Sequence, residues 1–298
     1  MKSMIASAEH SRVLETSPDV PEERPSFAIG LTEVGITAKT VWVRLPHGRL
    51  PFSARIVVDQ PGEVRGIHMS RIEEAVAELY EQEFMSLKEY GVELGRNVLA
   101  KQRGSSGSIL LSGQVPVLQE TVVSSRTSID SMQITAEIRF LKIDEEISEE
   151  SILIGCGVNH ITACPCTQAY NQILFNKKGS SCPLPTHSQR SFTSLKVETA
   201  RSTIRYQDLL SCLGAALHIT QDLMKRSDEA EIVLKAHQKP QFAEDAVRET
   251  ARIVGQRFAD ILPGSAKIII ESLSLESIHI HDVICRLECT MKEIAGPQ

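Results

Sequence analysis

Cys164-Pro165-Cys166 and, one short connection later, Pro185-Thr186-His187-Ser188-Gln189-Arg190 bring two thiols, an imidazole and a guanidinium close together in the chain. A second polar cluster, Glu276-Ser277-Ile278-His279-Ile280-His281, interrupts an otherwise apolar stretch near the C-terminus. Thiolate, imidazole and carboxylate are together the ligands of a borderline-soft divalent metal, so the pattern points to a metalloenzyme. The C-x-C spacing is not the C-x-x-C of zinc ribbons, which argues against structural zinc. Pro165 has no N–H and restricts Cys164 to an extended conformation, as suits a strand end with one thiol in a cleft. The plain alternative is a buried thiol pair or a surface redox pair.

His187 stands among Pro183, Pro185 and polar residues just before a strand, which reads as a shaped loop able to carry a site. Glu276 and His279, at i and i+3, fit either a helical turn or a tight turn between strands; His279 and His281 share a face if the chain is extended. A polar hairpin tip is the simpler account of that cluster. In Arg65-Gly66-Ile67-His68-Met69-Ser70-Arg71, two arginines and a serine at a helix N-cap could grip an anion, or merely cap the helix. Lys225-Arg226-Ser227-Asp228-Glu229 reads as the basic end of a helix, and Glu244-Asp245 as the acidic first turn of another.

The elements that must hold these residues alternate regularly. Strands are expected at Phe27–Leu45, Pro51–Val58, Ser108–Leu118 and Met132–Leu141, with two helical runs in Ser70–Gln102. The second half repeats the plan: strands at Ile152–Ile161, Arg190–Glu198, Lys267–Leu273 and Val283–Cys289, with helices at Gln207–Lys225 and Phe242–Phe258. Each half is β-β-α-α-β-β, an antiparallel sheet with helices on one face, hence an α+β fold. The charged run Glu145–Glu150 is the expected boundary, giving a loose leader over residues 1–25, a first module over 26–148 and a second over 149–298. Such sheets have free edges that closure into a barrel across several copies would remove, so a homo-oligomer is expected.

With 298 residues and 42% hydrophobic content, the chain can fill two modules. A net charge of −6 argues against a broad nucleic-acid face, and no apolar run reaches the ~20 residues needed to span a bilayer. Met1–Pro25 has no apolar core of a signal peptide. Seven cysteines without an export signal imply reduced thiols in a cytoplasm. Cys212, Cys285 and Cys289 lie in apolar patterns and read as small core residues.

Six motifs in order, RGIHMSR (Arg65–Arg71), ITACPC (Ile161–Cys166), THSQR (Thr186–Arg190), KRSDE (Lys225–Glu229), FAED (Phe242–Asp245) and ESIHIHD (Glu276–Asp282), resemble the signatures of the prokaryote-specific GTP cyclohydrolases, the type IB enzymes of bacteria and their archaeal relatives. The resemblance covers most of the chain after the leader. It implies a tunnelling fold of two tandem ββααββ modules and a homotetrameric barrel with active sites between subunits. It also implies opening of the guanine imidazole ring, loss of C8 as formate and reclosure to a dihydropterin. It assigns Cys164, His187, Glu276 and His279 to a divalent-metal site for zinc, manganese or ferrous iron. Cys164 and His187 are then catalytic together with the carboxylate of Glu229, and Glu244 holds the guanine edge. Arg65, Arg71 and Arg190 are candidates for the triphosphate of GTP. Ser227 and Ser188 depart from the Pro and Asn usual in the family. The long interval from Cys166 to His187, with GIHMSR and ITACPC, resembles the archaeal members. The expected product is 7,8-dihydroneopterin triphosphate for tetrahydrofolate synthesis. The alternatives are the 2′,3′-cyclic phosphate for methanopterin, or a purine- or pterin-binding protein without turnover.

Overall fold

The computed structural model describes residues 4–176, 182–199 and 202–296. In chain order its regular elements are α1 (Ser7–Thr16), β1 (Leu31–Leu45), β2 (Gly48–Gln60), α2 (Met69–Glu78), α3 (Leu87–Ala100), β3 (Ser106–Glu120), β4 (Thr127–Ile143) and β5 (Glu146–Ala163). There follow α4 (Pro165–Leu174), β6 (Ser188–Glu198), α5 (Tyr206–Ala216), β7 (His218–Ile219), α6 (Arg226–Gln238), α7 (Ala243–Phe258), β8 (Lys267–Ser274), β9 (Val283–Thr290) and the short α8 (Met291–Ile294). The long strands form one antiparallel sheet in the order β1-β2-β3-β4-β5-β6-β8-β9, with β7 attached to β5. The fold is α+β. Among the described residues no helix is long and apolar enough to cross a membrane.

Period-two alternation decides which side of the sheet is covered. Val41, Val43, Phe52, Ala54, Ile56, Ile109, Leu111, Ala136, Ile138 and Phe140 are buried on one side, where α3 lays Leu87, Tyr90, Leu94 and Val98 against them. Gly95 makes that approach possible, because a Cβ there would stand 2.0 Å from the Phe140 ring. In the second half α5 and α7 cover Cys156, Leu195, Val197, Ile268 and Ile270 in the same way. The opposite side carries cross-strand ion pairs such as Arg55–Glu33 and Arg286–Glu271.

The first half runs ββααββ, as the periodicity suggests, whereas the second half inserts α4, β7 and α6 among its four long strands. Glu145–Glu150, expected as a link, is the turn and first residues of a hairpin. Asp144 and Glu145 both have positive φ, Ile143 pairs with Glu146, and the sheet runs on through that point. The expected helix Gln207–Lys225 stops at Ala216, and His218 and Ile219 extend to pair with Ile161 and His160. The reason is an open edge: β4 accompanies β5 only as far as Gly157, so the polar backbone beyond it needs another partner. Lys225–Glu229 begins a helix rather than ending one, since the Asp228 carboxylate accepts the Lys225 N–H at 2.9 Å as an N-terminal cap does. Ser70 lies inside α2, whose N-cap is His68. The leader, expected to be loose, carries α1 and a single 3-10 turn at Val20–Glu22 that is pinned to Arg65 and His68.

Candidate functional site

Cys164 directly follows β5 and is the N-cap of α4, with extended backbone (φ −76, ψ 114) imposed by Pro165 in the first turn of the helix. Its N–H donates to the His187 carbonyl at 3.1 Å, its carbonyl accepts from Thr186 Oγ1 at 2.7 Å, and its Sγ accepts from Thr167 Oγ1 at 3.6 Å. The thiol is half-buried, while Cys166 is exposed. The strand end and the loop before β6 are thus stitched together through the backbones of Cys164 and His187.

His187 is fixed by Gln189. A carboxylate only accepts, so the Gln189 amide nitrogen faces Glu276 Oε1 at 3.1 Å; its carbonyl then faces His187 Nδ1 at 3.2 Å. That carbonyl also only accepts, so Nδ1 carries the proton and Nε2 of the neutral ring keeps a free lone pair. This is the tautomer-fixing arrangement seen behind metal-bound histidines. Glu276 Oε1 also accepts from Ser274 Oγ at 2.9 Å. The loop between β8 and β9 is held by the Glu276 N–H on Asp282 Oδ1 and brings His279 alongside. The His187 and His279 rings lie 6.2 Å apart, and His279 stacks on His281 at 5.3 Å. One sulfur, two imidazoles and one carboxylate from three distant stretches therefore lie at one end of the sheet within a single protomer. In donor chemistry this set fits a divalent ion. Their ligand atoms are not drawn within 4.8 Å of one another. Among the described residues the group that reaches this spacing is Asp19, Glu22 and His68, where Glu22 is also paired with Arg103.

Glu229 and Glu244 are at the same end of the sheet. Glu229 is exposed in the first turn of α6. Its neighbour Asp228 is buried and accepts from the Val123 and Ser124 N–H groups and from Ser124 Oγ, which lashes α6 to the β3–β4 turn. The Ser124 hydroxyl foremost, then these backbone donors, hold the Asp228 carboxyl below the usual carboxylate range. Glu244 is exposed at the start of α7. Burial, and after it the charge of Glu244, pushes the Cys285 thiol on β9 up. Cys212 is buried, with Cys285 and Cys289 half-buried against the core. Arg190 lies exposed on β6 opposite Ile161.

Arg65 and Arg71 are elsewhere. They follow β2, whose end is level with the starts of β3 and β5, whereas Cys164 follows the far end of β5. With 18 residues in β5, the two ends are on the order of 50 Å apart. Arg65 pairs with Glu23 at 2.9 Å, and Arg71 donates to the Lys101 carbonyl at the C-terminus of α3. Within one protomer the structure does not bring them to the cluster. A cavity of about 640 Å³ between α5 and α6, lined by Gly214, His218, Met224 and Lys235, holds neither Cys164 nor His187.

Gln189 and Ser274 are the residues that sequence reasoning missed, together with Thr162 and Ser191 behind Ser274. The available signal was hydroxyl side chains at alternate, inward positions of strands that are otherwise apolar.

Comparison with known proteins bears on the fold and the family. In fold the chain is similar to a crystallised uricase from Bacillus fastidious, with a TM-score of 0.52 at 7% identity, covering 91% of this chain and 96% of that one. In sequence it is 31% identical over 306 residues to the GTP cyclohydrolase MptA of Methanospirillum hungatei JF-1, spanning 93% of this chain and 92% of the relative. It is 29% identical over 304 residues to the GTP cyclohydrolase MptA of Methanococcus vannielii, spanning 93% and 97%. Residues 17–285 match the family described as type I GTP cyclohydrolase folE2, and the chain belongs to that family of enzymes.

Proposed function

We propose that the chain adds water to C8 of GTP, opens the imidazole ring, releases C8 as formate and recloses the remainder as a dihydropterin. The observation that carries this reading is the run of contacts Cys164–His187–Gln189–Glu276 at the end of the sheet, with His279 beside it. Cys164, His187, Glu276 and His279 would hold zinc, manganese or ferrous iron. Such an ion supplies Lewis acidity and a hydroxide nucleophile near neutral pH. Gln189 engages His187 Nδ1, which leaves Nε2 as the nitrogen available to the ion. Glu229 serves as the proton carrier, exposed and next to the anchored Asp228. Glu244 accepts from the two N–H donors of the guanine edge. Arg190 binds phosphate from the same protomer, while Arg65 and Arg71 reach a cluster only from another copy, in keeping with a homotetrameric barrel in the cytoplasm.

Two products fit this chemistry. The triphosphate retains all three phosphates. The 2′,3′-cyclic phosphate requires a hydroxyl to attack the α-phosphorus and displace diphosphate. Similarity to relatives named MptA, with the GIHMSR and ITACPC motifs, favours the cyclic product.

Purified protein is incubated with GTP and Mn²⁺ or Fe²⁺ under reducing, anaerobic conditions. Formate, a pterin that fluoresces after oxidation, and an equivalent of diphosphate are expected, with the mass of the cyclic phosphate. Cys164→Ala should lower formate release by more than about 100-fold, beyond the loss typical of a group behind the ligands, while the protein stays folded. Turnover at the wild-type rate in that variant, or tight metal binding without formate in the wild type, overturns the reading.

A further inference from the structure

Behind Glu276 the helix-covered side of the sheet changes character. On β5, β6 and β8 it carries Ile154, Cys156, Leu195, Val197, Ile268 and Ile270, all buried and apolar. Toward the site the same rows continue with His160 and Thr162, Thr193 and Ser191, and Ser272 and Ser274, each no more than 1% exposed. Burying six polar side chains in a layer that could be filled by valine and isoleucine costs stability unless every group is paired.

The pairing resolves into two branches. In the first, Thr193 Oγ1 donates to Ser272 Oγ at 2.8 Å and therefore accepts from His160 Nε2 at 2.8 Å. That branch ends in the interior, leaving His160 Nδ1 without a partner. In the second, the Ser274 hydroxyl donates to Glu276 Oε1 at 2.9 Å. Its one proton is then used, so at 3.4 Å it accepts from Thr162 Oγ1, which in turn accepts from Ser191 Oγ at 2.8 Å. The donors all run Ser191→Thr162→Ser274→Glu276, and such a chain polarises cooperatively. Gln189 meets the same carboxylate oxygen from outside and ties it to His187. Glu276 Oε1 is thus fully engaged by the protein, and Oε2 is the oxygen left to face the site.

We infer that Ser274, with Thr162 and Ser191 behind it, and Gln189 are positioning residues that fix which oxygen of Glu276 and which nitrogen of His187 are presented to the ion. The inference rests on the metal-site reading given above. Groups of this kind typically change metal affinity by 10–100-fold when removed.

The test measures Mn²⁺ and Zn²⁺ affinity by chelator competition, with no substrate present, alongside thermal stability and kcat against KM. Ser274→Ala and Gln189→Leu should each weaken metal binding by about 10-fold or more and lower kcat at saturating metal without raising KM. Ser274→Thr, which keeps the hydroxyl, should recover affinity relative to Ser274→Ala. Ser272→Ala is the control: the same change, on the same strand and side, equally buried, but in the branch that does not reach Glu276. It should leave metal affinity unchanged while shifting stability as Ser274→Ala does. Equal metal affinity in Ser274→Ala, Gln189→Leu and wild type, with Cys164→Ala still defective, overturns the positioning role and spares the metal site. Wild type that binds no better than Cys164→Ala overturns the metal-site reading itself. If Ser272→Ala weakens metal binding as much as Ser274→Ala, the role is general packing and the inference fails.

Discussion

The two halves of the sheet are built alike and filled differently. Under α3 the covered rows are apolar through Phe52, Ile56, Ile109, Leu111, Ile138 and Phe140, and turn polar only where they run out, at Gln60 and Ser128. Under α5 and α7 the equivalent rows begin apolar and finish as the paired hydroxyls and imidazole of His160, Thr162, Ser191, Thr193, Ser272 and Ser274. The first half carries no member of the Cys164 cluster, and its buried polar side chains are single groups that tie down loops, as Gln60 does at the Val64 carbonyl and Ser128 at the Leu223 N–H. The second half must deliver oriented donors to its rim. A connected layer of buried polar side chains therefore marks where the sheet serves the site, while the apolar rows hold the fold.

Phe140→Ala attacks the apolar half. It removes a ring that fills the notch opposite Gly95, and should cost about 3–5 kcal/mol in denaturant unfolding. Metal affinity at the distant rim should hold as long as the protein is folded. An equal loss of metal binding would show that the halves are not separable.

His160 sharpens the contrast through pH. Burial lowers its pKa from 6.5 to about 4, so the folded protein resists a proton that the unfolded chain accepts. Its contribution is fully present above the unfolded value and is lost as pH falls from about 6.5 to about 4, by about 3 kcal/mol in all. Stability followed by urea unfolding across that range should fall in the wild type and stay flatter in His160→Gln. Coincident curves would mean that His160 gains a compensating partner on protonation.

Thr193→Val gives a smaller effect. The shape is kept, but the His160 Nε2–H loses its acceptor and Ser272 its donor, which should cost about 1–3 kcal/mol. Metal affinity should be unchanged, because this branch does not reach Glu276. A neutral change in stability would show that the polar layer is no more demanding than the apolar one.

Much of this was legible in the residues. Period-two alternation found the long strands within a few residues, and Pro165 announced the extended Cys164 backbone. The donor types of CPC, HSQR and ESIHIH marked the residues that the structure brings together. Three features were not legible, each for a physical reason. The strand β7 exists because β4 leaves part of β5 uncovered, a fact of register between segments far apart in sequence. The helix α6 begins at Lys225 because Asp228 caps it and also grips the β3–β4 turn; its local charges alone read equally well as a helix end. The arginines of RGIHMSR are triphosphate candidates by their residue types, but strand direction puts them, within one protomer, at the other end of the sheet, against Glu23 and the end of α3.

By itself the sequence determined the secondary-structure rhythm, the chemical identity of the donor groups and the family, because these depend on local periodicity and residue type. Only the tertiary structure decided which donors meet, which oxygen of Glu276 and which nitrogen of His187 are free, and which arginines lie far from the cluster within one protomer. Those outcomes follow from strand register and from the saturation of each hydrogen-bonding atom, and both are properties of contacts between residues remote along the chain.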